Sequence, residues 1–165
     1  MRFEVDQELA GTPGEVLGAL TEASWYEAVS ASPSDWAPRL EAVEEHDGLV
    51  VAVVRYRFRG QLNKAARAVL DPERLVHVDR VTIDLARGTF SVAVTPEHQA
   101  DRLGVSAAGQ VTAGAGGARR ALSGEVKVRY PIVGGQVERA IVAGLIDHAE
   151  HERVAFGFWN ANGSH

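Results

Sequence analysis

The sequence predicts an α+β fold: a seven-stranded antiparallel sheet curled around one long C-terminal helix, with two short helices near the N-terminus. Three observations carry this. Short segments with period-two alternation of apolar and polar residues recur along the chain. Most of them are joined by turn-like connections, as in hairpins. One long helical pattern then closes the chain, and strands in succession with segregated helices define the α+β class.

The elements follow in order. "RFEVDQEL" (2–9) sends Phe3, Val5, Gln7 and Leu9 to one face and Arg2, Glu4, Asp6 and Glu8 to the other, as a half-buried strand does. In "GTPGEVLGAL", Thr12 is placed as an N-cap, Pro13 at the first helical position and Glu15 three residues after the cap. Val16, Leu17 and Leu20 form the apolar face of that helix. A second short helix starts near Thr21 and carries Trp25, Tyr26 and Val29, and "SPSDWAP" reads as a loop. Strands are expected at about 39–46 and 49–58, 75–85 and 88–95, and 103–112 and 119–130, joined by "HDG", "ARG" and the glycine-rich "TAGAGGA". Leu62, Ala65, Ala66, Val69 and Leu70 have helical spacing and suggest a short helix between strands. The long helix runs from about Gly134 to Trp159. The expected organisation is one domain, 1–160, with a frayed tail over 161–165.

"VVRYRFRG" (53–60) alternates arginines with aromatics. Period-two geometry puts Val50, Ala52, Val54, Tyr56 and Phe58 on one face, and Arg55, Arg57 and Arg59 on the other. A single-strand nucleic-acid platform needs stacking rings and cations on the same face. The net charge of −5 also repels a polyphosphate. Nucleic acid is therefore not an expected partner. The arginines read as solvated, pairing across strands with Glu41, Glu45, Asp79 or Asp84.

The same division appears elsewhere. Phe90, Val92 and Val94 oppose Thr89, Ser91 and Thr95, and Leu122, Val126, Val128 and Tyr130 oppose Glu125, Lys127 and Arg129. The sheet thus has one apolar face, which the long helix must cover. Absence of cysteine removes disulfide and thiolate chemistry and fits a reducing, cytoplasmic setting. The N-terminus has no apolar run behind a basic segment. The longest apolar stretch, "AIVAGLI" (140–146), is far short of the roughly 20 residues of a membrane span.

On the long helix, Val137, Ile141, Leu145, Ala155, Phe156 and Trp159 form one arc, and His148 and Glu152 fall inside it. A buried His and Glu need partners. Two readings stand: they pair with each other where water reaches them, or they line a cavity and hold the polar end of a ligand or act as acid and base. "DHAEHE" (147–152) does not have the histidine spacing of a helical zinc motif, so no metal is expected. "VGGQ" (133–136) reads as the sharp swing from the last strand into the helix, ahead of an anion site. No serine or threonine stands in a nucleophile-elbow context.

The chain resembles the START/Bet v-like (SRPBCC) superfamily, whose helix-grip fold wraps a curved seven-stranded sheet around a C-terminal helix. More narrowly, "MRFEV", "VRYRFRG", "HQADRL" (98–103) and "YPIVGGQVERAIVAGL" (130–145) are similar to an actinobacterial family of unknown function within it. The resemblance implies a fold and a hydrophobic cavity. It implies no reaction, because the superfamily spans lipid carriers, hormone receptors, polyketide cyclases, coenzyme-Q-binding proteins and ring-hydroxylase subunits.

The leading functional expectation is a carrier or sensor that binds a hydrophobic small molecule, with no cofactor. Tyr56, Phe58, Val92, Val94, Ile141 and Leu145 would form the wall, and His148, Glu152 and Tyr130 would hold a polar end. The alternatives are a cyclase-, aromatase- or hydrolase-like enzyme using His148 or Glu152, and a protein-interaction module with a collapsed cavity. Oligomeric state stays open.

Overall fold

A computed structural model describes residues 1–68 and 70–163. The strands are β1 (Arg2–Ala10), β2 (Trp36–His46), β3 (Leu49–Phe58), β4 (Val76–Asp84), β5 (Thr89–Pro96), β6 (Leu103–Gly114) and β7 (Gly117–Val128). They form one antiparallel sheet in the order β1-β7-β6-β5-β4-β3-β2. The helices are α1 (Pro13–Ala19), α2 (Ala23–Ala31), α3 (Lys64–Arg67) and α4 (Gly134–Ala161). After β1 the chain crosses by α1 and α2 to the opposite edge, then meanders back until β7 pairs with β1. The α+β class, the strand number and the long C-terminal helix match the expectation.

The start of α1 follows its sequence signal. The Glu15 N–H donates to Thr12 Oγ1 (3.2 Å), and the Thr12 N–H donates to Glu15 Oε2 (2.6 Å). Thr12→Ala is expected to cost about 1 kcal/mol in urea denaturation, because one terminal N–H loses its acceptor.

Several boundaries differ from expectation. β2 begins at Trp36, inside the segment read as a loop, because Trp36 pairs with Phe58 and their rings meet at 5.0 Å. Pro38 is tolerated there because β2 is an edge strand. In the connection after β3 the expected short helix is present as the four-residue α3, and among the described residues a 3₁₀ turn at Pro72–Arg74 follows it. Of the expected helical set in that connection, Val69 and the side chains of Ala65 and Ala66 lie outside the described residues, as do residues 164–165.

The arginine face of β3 also needs correction. Arg55 pairs with Glu97 at the end of β5. Arg59 folds back on the end of α2, donating from Nε to the Ser34 carbonyl (2.7 Å) and from Nη1 to the Ser30 carbonyl (2.7 Å). It satisfies carbonyls left open by the ending helix. The proposed partners are engaged elsewhere: Glu41 with Arg39 and Asp84 with Arg87. Asp79 is on the opposite face, because Val54 pairs with Asp79 and Tyr56 with His77.

The densest packing lies at the C-terminal end of α4. Trp25 of α2 meets Phe156 and Trp159 edge-on, with centroids 5.7 and 5.8 Å apart. Leu17, Val29, Val54 and Ile83 close this cluster and are almost fully buried. At its other end, α4 starts against the end of β7. A Cβ on Gly134 would lie 2.8 Å from the Val128 carbonyl, so the glycine permits the close approach. Glu138 secures the corner by accepting from the Val128 N–H at 2.9 Å.

Candidate functional site

α4 packs tightly along its last turns but not along its first. Between α4, from Val137 to Glu152, and the concave face of the sheet are two adjoining hollows. The outer one, about 180 Å³, opens among the β3–β4 and β5–β6 connections, and Phe58, Val94, Ile141 and Leu145 line it. The inner one, about 150 Å³, extends toward the packed end, with Tyr56, Val92, Val94, Leu145, His148 and Glu152 in its wall. Trp36, His77, Asp79, Val94, Val105 and Leu145 line both.

Eight of the nine residues singled out in the sequence are therefore brought around one space. Tyr130 lines neither hollow. Its hydroxyl donates to Gln99 Oε1, which does line the outer one, and Arg102 stacks over its ring at 5.0 Å.

The inner hollow is apolar except for a belt of polar side chains from several elements. Arg120 of β7 points inward and is 8% exposed. Its Nη1 donates to Glu152 Oε2 (2.9 Å) and its Nη2 to Gln7 Oε1 (2.6 Å). Gln7 lies directly across the β1–β7 ladder from Arg120. His148 Nε2 stands 3.5 Å from the other Glu152 oxygen, while its Nδ1 meets Ser34 Oγ at 2.9 Å. On β4, His77 stacks on Tyr56 (5.1 Å, 11° between planes), and its Nε2 lies 3.3 Å from Asp79 Oδ1.

The charges follow from these neighbours. Burial works to raise the Glu152 carboxyl, but Arg120 and then His148 outweigh it and hold it down at about 2. Asp79 has no cation of its own. Burial first, and then the Glu152 charge, push it up to about 8. Burial first, and then His148, bring His77 down to about 4. Burial also pushes the Tyr26 and Tyr56 hydroxyls upward. These shifts favour the uncharged forms of Asp79 and His77 beside the Arg120–Glu152 ion pair.

His148 and Glu152 thus do adjoin each other and also face the hollow. Arg120, Asp79 and His77 were missed. Alternation carried the signal: Arg120 shares a face with Leu122 and Val126, and His77 and Asp79 share one with Val81 and Ile83. Among the described residues, no group of three or more His, Cys, Asp or Glu is arranged to hold a metal ion. No helix among them is long and apolar enough to cross a membrane.

A curved seven-stranded antiparallel sheet gripping a long C-terminal helix, with short helices after the first strand, defines a START/Bet v 1-like fold. The chain belongs to the family described as "Protein of unknown function (DUF2505)", whose model matches residues 4–159. No curated protein matches it in sequence. Among solved structures it is similar to a protein from Thermus thermophilus, TTHA0849, at 10% identity and TM-score 0.65 over 100% of both chains. It is similar to a Rhodobacter sphaeroides protein at 15% identity and TM-score 0.62, covering 98% of this chain and 92% of that one. Ara h 8.0201 matches at 14% identity and TM-score 0.57, covering 94% and 97%. At these identities the likeness concerns the fold.

Proposed function

We propose that the protein binds a hydrophobic small molecule, lipid-, quinone- or polyketide-like, between α4 and the sheet, and acts as a cytoplasmic carrier or sensor. The observation that carries this is a largely apolar hollow left open under α4 from Val137 to Glu152, when the turns from Ala155 to Trp159 are closely packed. Small-molecule pockets run to roughly 300–1,000 Å³. Each hollow alone is smaller, at about 180 and 150 Å³, so the ligand spans both. Tyr56, Phe58, Val92, Val94, Ile141 and Leu145 are its wall. Tyr130 acts at the rim through Gln99, and His148 stands at the polar end. Glu152 serves by holding Arg120. With its carboxyl ionised and tied to Arg120, it has little capacity as a general acid.

Native mass spectrometry of gently purified protein, followed by titration with a fatty acid, a quinone and an aromatic ketone, tests the reading. Leu145→Trp fills the space shared by both hollows and is expected to weaken binding at least tenfold with an unchanged circular dichroism spectrum. No adduct and no binding of any probe, or equal binding by the variant, would overturn it.

A further inference from the structure

We propose that the inner end of the hollow recognises a neutral oxygen, the carbonyl or hydroxyl of an apolar ketone, quinone or alcohol, through Asp79 and His148, and disfavours carboxylates and amines. This rests on the ligand-binding reading above and narrows it to a chemical class.

Three buried polar atoms on residues that line this space lack a hydrogen bond: Asp79 Oδ1, His148 Nε2 and Arg120 Nε. Asp79 Oδ1 has His77 Nε2 at 3.3 Å and His148 Nε2 has Glu152 Oε1 at 3.5 Å, and neither contact makes a hydrogen bond. Buried polar atoms are normally satisfied, and three unsatisfied ones lining one cavity call for a common partner. The bonding around Ser34 sets what His148 offers. Ser34 Oγ accepts from the Trp36 N–H at 3.2 Å, so its own proton is free to donate to His148 Nδ1 at 2.9 Å. With Ser34 as donor the imidazole proton sits on Nε2, the nitrogen that also faces the Glu152 carboxylate at 3.5 Å. Asp79 carries its acid proton at neutral pH, because burial and Glu152 both oppose ionisation. The hollow therefore presents three donors, a carboxylic O–H, an imidazole N–H and the Arg120 Nε–H, and their complement is an oxygen acceptor.

Charge complementarity argues against ionic heads. A carboxylate drawn into this space needs a cation of its own, and the Arg120 charge is already balanced by Glu152, with only its Nε–H left unbonded. Arg74 lines the outer hollow but is exposed and contacts His98, so it is at the solvent end. An ammonium would have to lose its water and also ionise Asp79, and both steps cost free energy.

The groups facing Asp79 are His77 on its own strand, Tyr56 on β3, Tyr26 on α2, Arg120 on β7, and His148 and Glu152 on α4. His77 and Glu152 titrate far below neutrality and both tyrosines are pushed upward. Deprotonation of Asp79 converts a donor into a buried anion aimed at the ligand oxygen.

Three probes on one ring system test this: acetylnaphthalene (neutral ketone), naphthoate (anion) and naphthylmethylamine (cation), titrated calorimetrically into the whole protein. The ketone is expected to bind about tenfold or more tightly than either ion at pH 7. Its affinity should fall about tenfold between pH 7 and pH 9, as the competent protonated fraction falls. That fall should be absent in Asp79→Asn, whose amide donates at every pH. Naphthoate or the amine binding as well as the ketone, or the same pH fall in Asp79→Asn, would overturn the proposal while leaving the hollow as a binding site. Failure of all three probes, with no difference between the parent and Leu145→Trp, would overturn both readings.

Discussion

Arg120→Met is expected to destabilise the protein by about 3–5 kcal/mol at neutral pH, because it strands the Glu152 carboxylate in an apolar interior. Glu152 Oε2 accepts from Arg120 Nη1 at 2.9 Å, and both side chains are largely buried, at 15% and 10% exposure. The sign with pH is fixed by the depressed carboxyl. Its folded value of about 2 lies below the ordinary 4.5, so its stabilisation is present above about pH 4.5 and is lost as pH falls toward 2. The span corresponds to about 3 kcal/mol, in line with the cost of removing one partner of a buried pair. In Arg120→Met, burial acts on Glu152 unopposed, so the variant's deficit should shrink in acid as the carboxyl takes up a proton. Arg120→Met combined with Glu152→Leu should recover most of the loss, because an apolar pair of similar volume leaves no buried charge. Urea denaturation across pH checks all three outcomes. A deficit below about 1 kcal/mol for the single variant would mean that Glu152 reaches water without the arginine.

The same ion pair shows what could be read in advance. Strand alternation alone placed Tyr56, Phe58, Val92 and Val94 on the concave face, and helical periodicity placed Ile141, Leu145, His148 and Glu152 opposite them. Local periodicities survive into the fold because they are consequences of backbone geometry. Gln7 was visible in the same way, as the one polar residue among Phe3, Val5 and Leu9. Arg120 was obscured by Arg119 beside it. Read as a basic pair, the two look like one surface feature, yet alternation separates them. Arg119 turns outward to Asp6, and Arg120 turns inward to Glu152. The pairing itself was beyond sequence reasoning. Gln7 meets Arg120 only because β1 pairs with β7, and Arg120 meets Glu152 only because α4 returns across the sheet at that height. The hollow was equally hidden. Composition does not say that α4 packs closely at Phe156 and Trp159 and stands off at Ile141 and Leu145.

The second large effect concerns His77 and Asp79, and it separates two descriptions of the polar belt. With both groups neutral in the folded state, Asp79 is raised to about 8 and His77 lowered to about 4, from ordinary values of 3.8 and 6.5. Between about pH 4 and 6.5 the unfolded chain carries an ionised Asp79 and a protonated His77. The folded chain carries the same number of protons with both groups uncharged, so stability is flat with respect to this pair. From pH 6.5 to about 8 the unfolded chain has released the histidine proton while folded Asp79 keeps its own. Stability then falls by about 1.4 kcal/mol per pH unit, roughly 2 kcal/mol in all, and levels off above. This follows from the sign for a raised carboxyl, whose contribution is lost as pH climbs through its folded value. A buried His77–Asp79 ion pair would give the same slope, because the two states differ only in which group holds the proton. Asp79→Asn distinguishes them. Beside an uncharged acid, the amide is a close substitute, so the variant should match or exceed the parent at pH 7.5 and lose the slope above pH 6.5. Its remaining dependence should come from His77 alone, with stability falling as pH drops from 6.5 toward 4. Beside a charged histidine the same change would strand a cation and cost about 3 kcal/mol or more. That second result would assign Asp79 as an acceptor engaged by His77, and it would remove the carboxylic donor from the floor of the hollow.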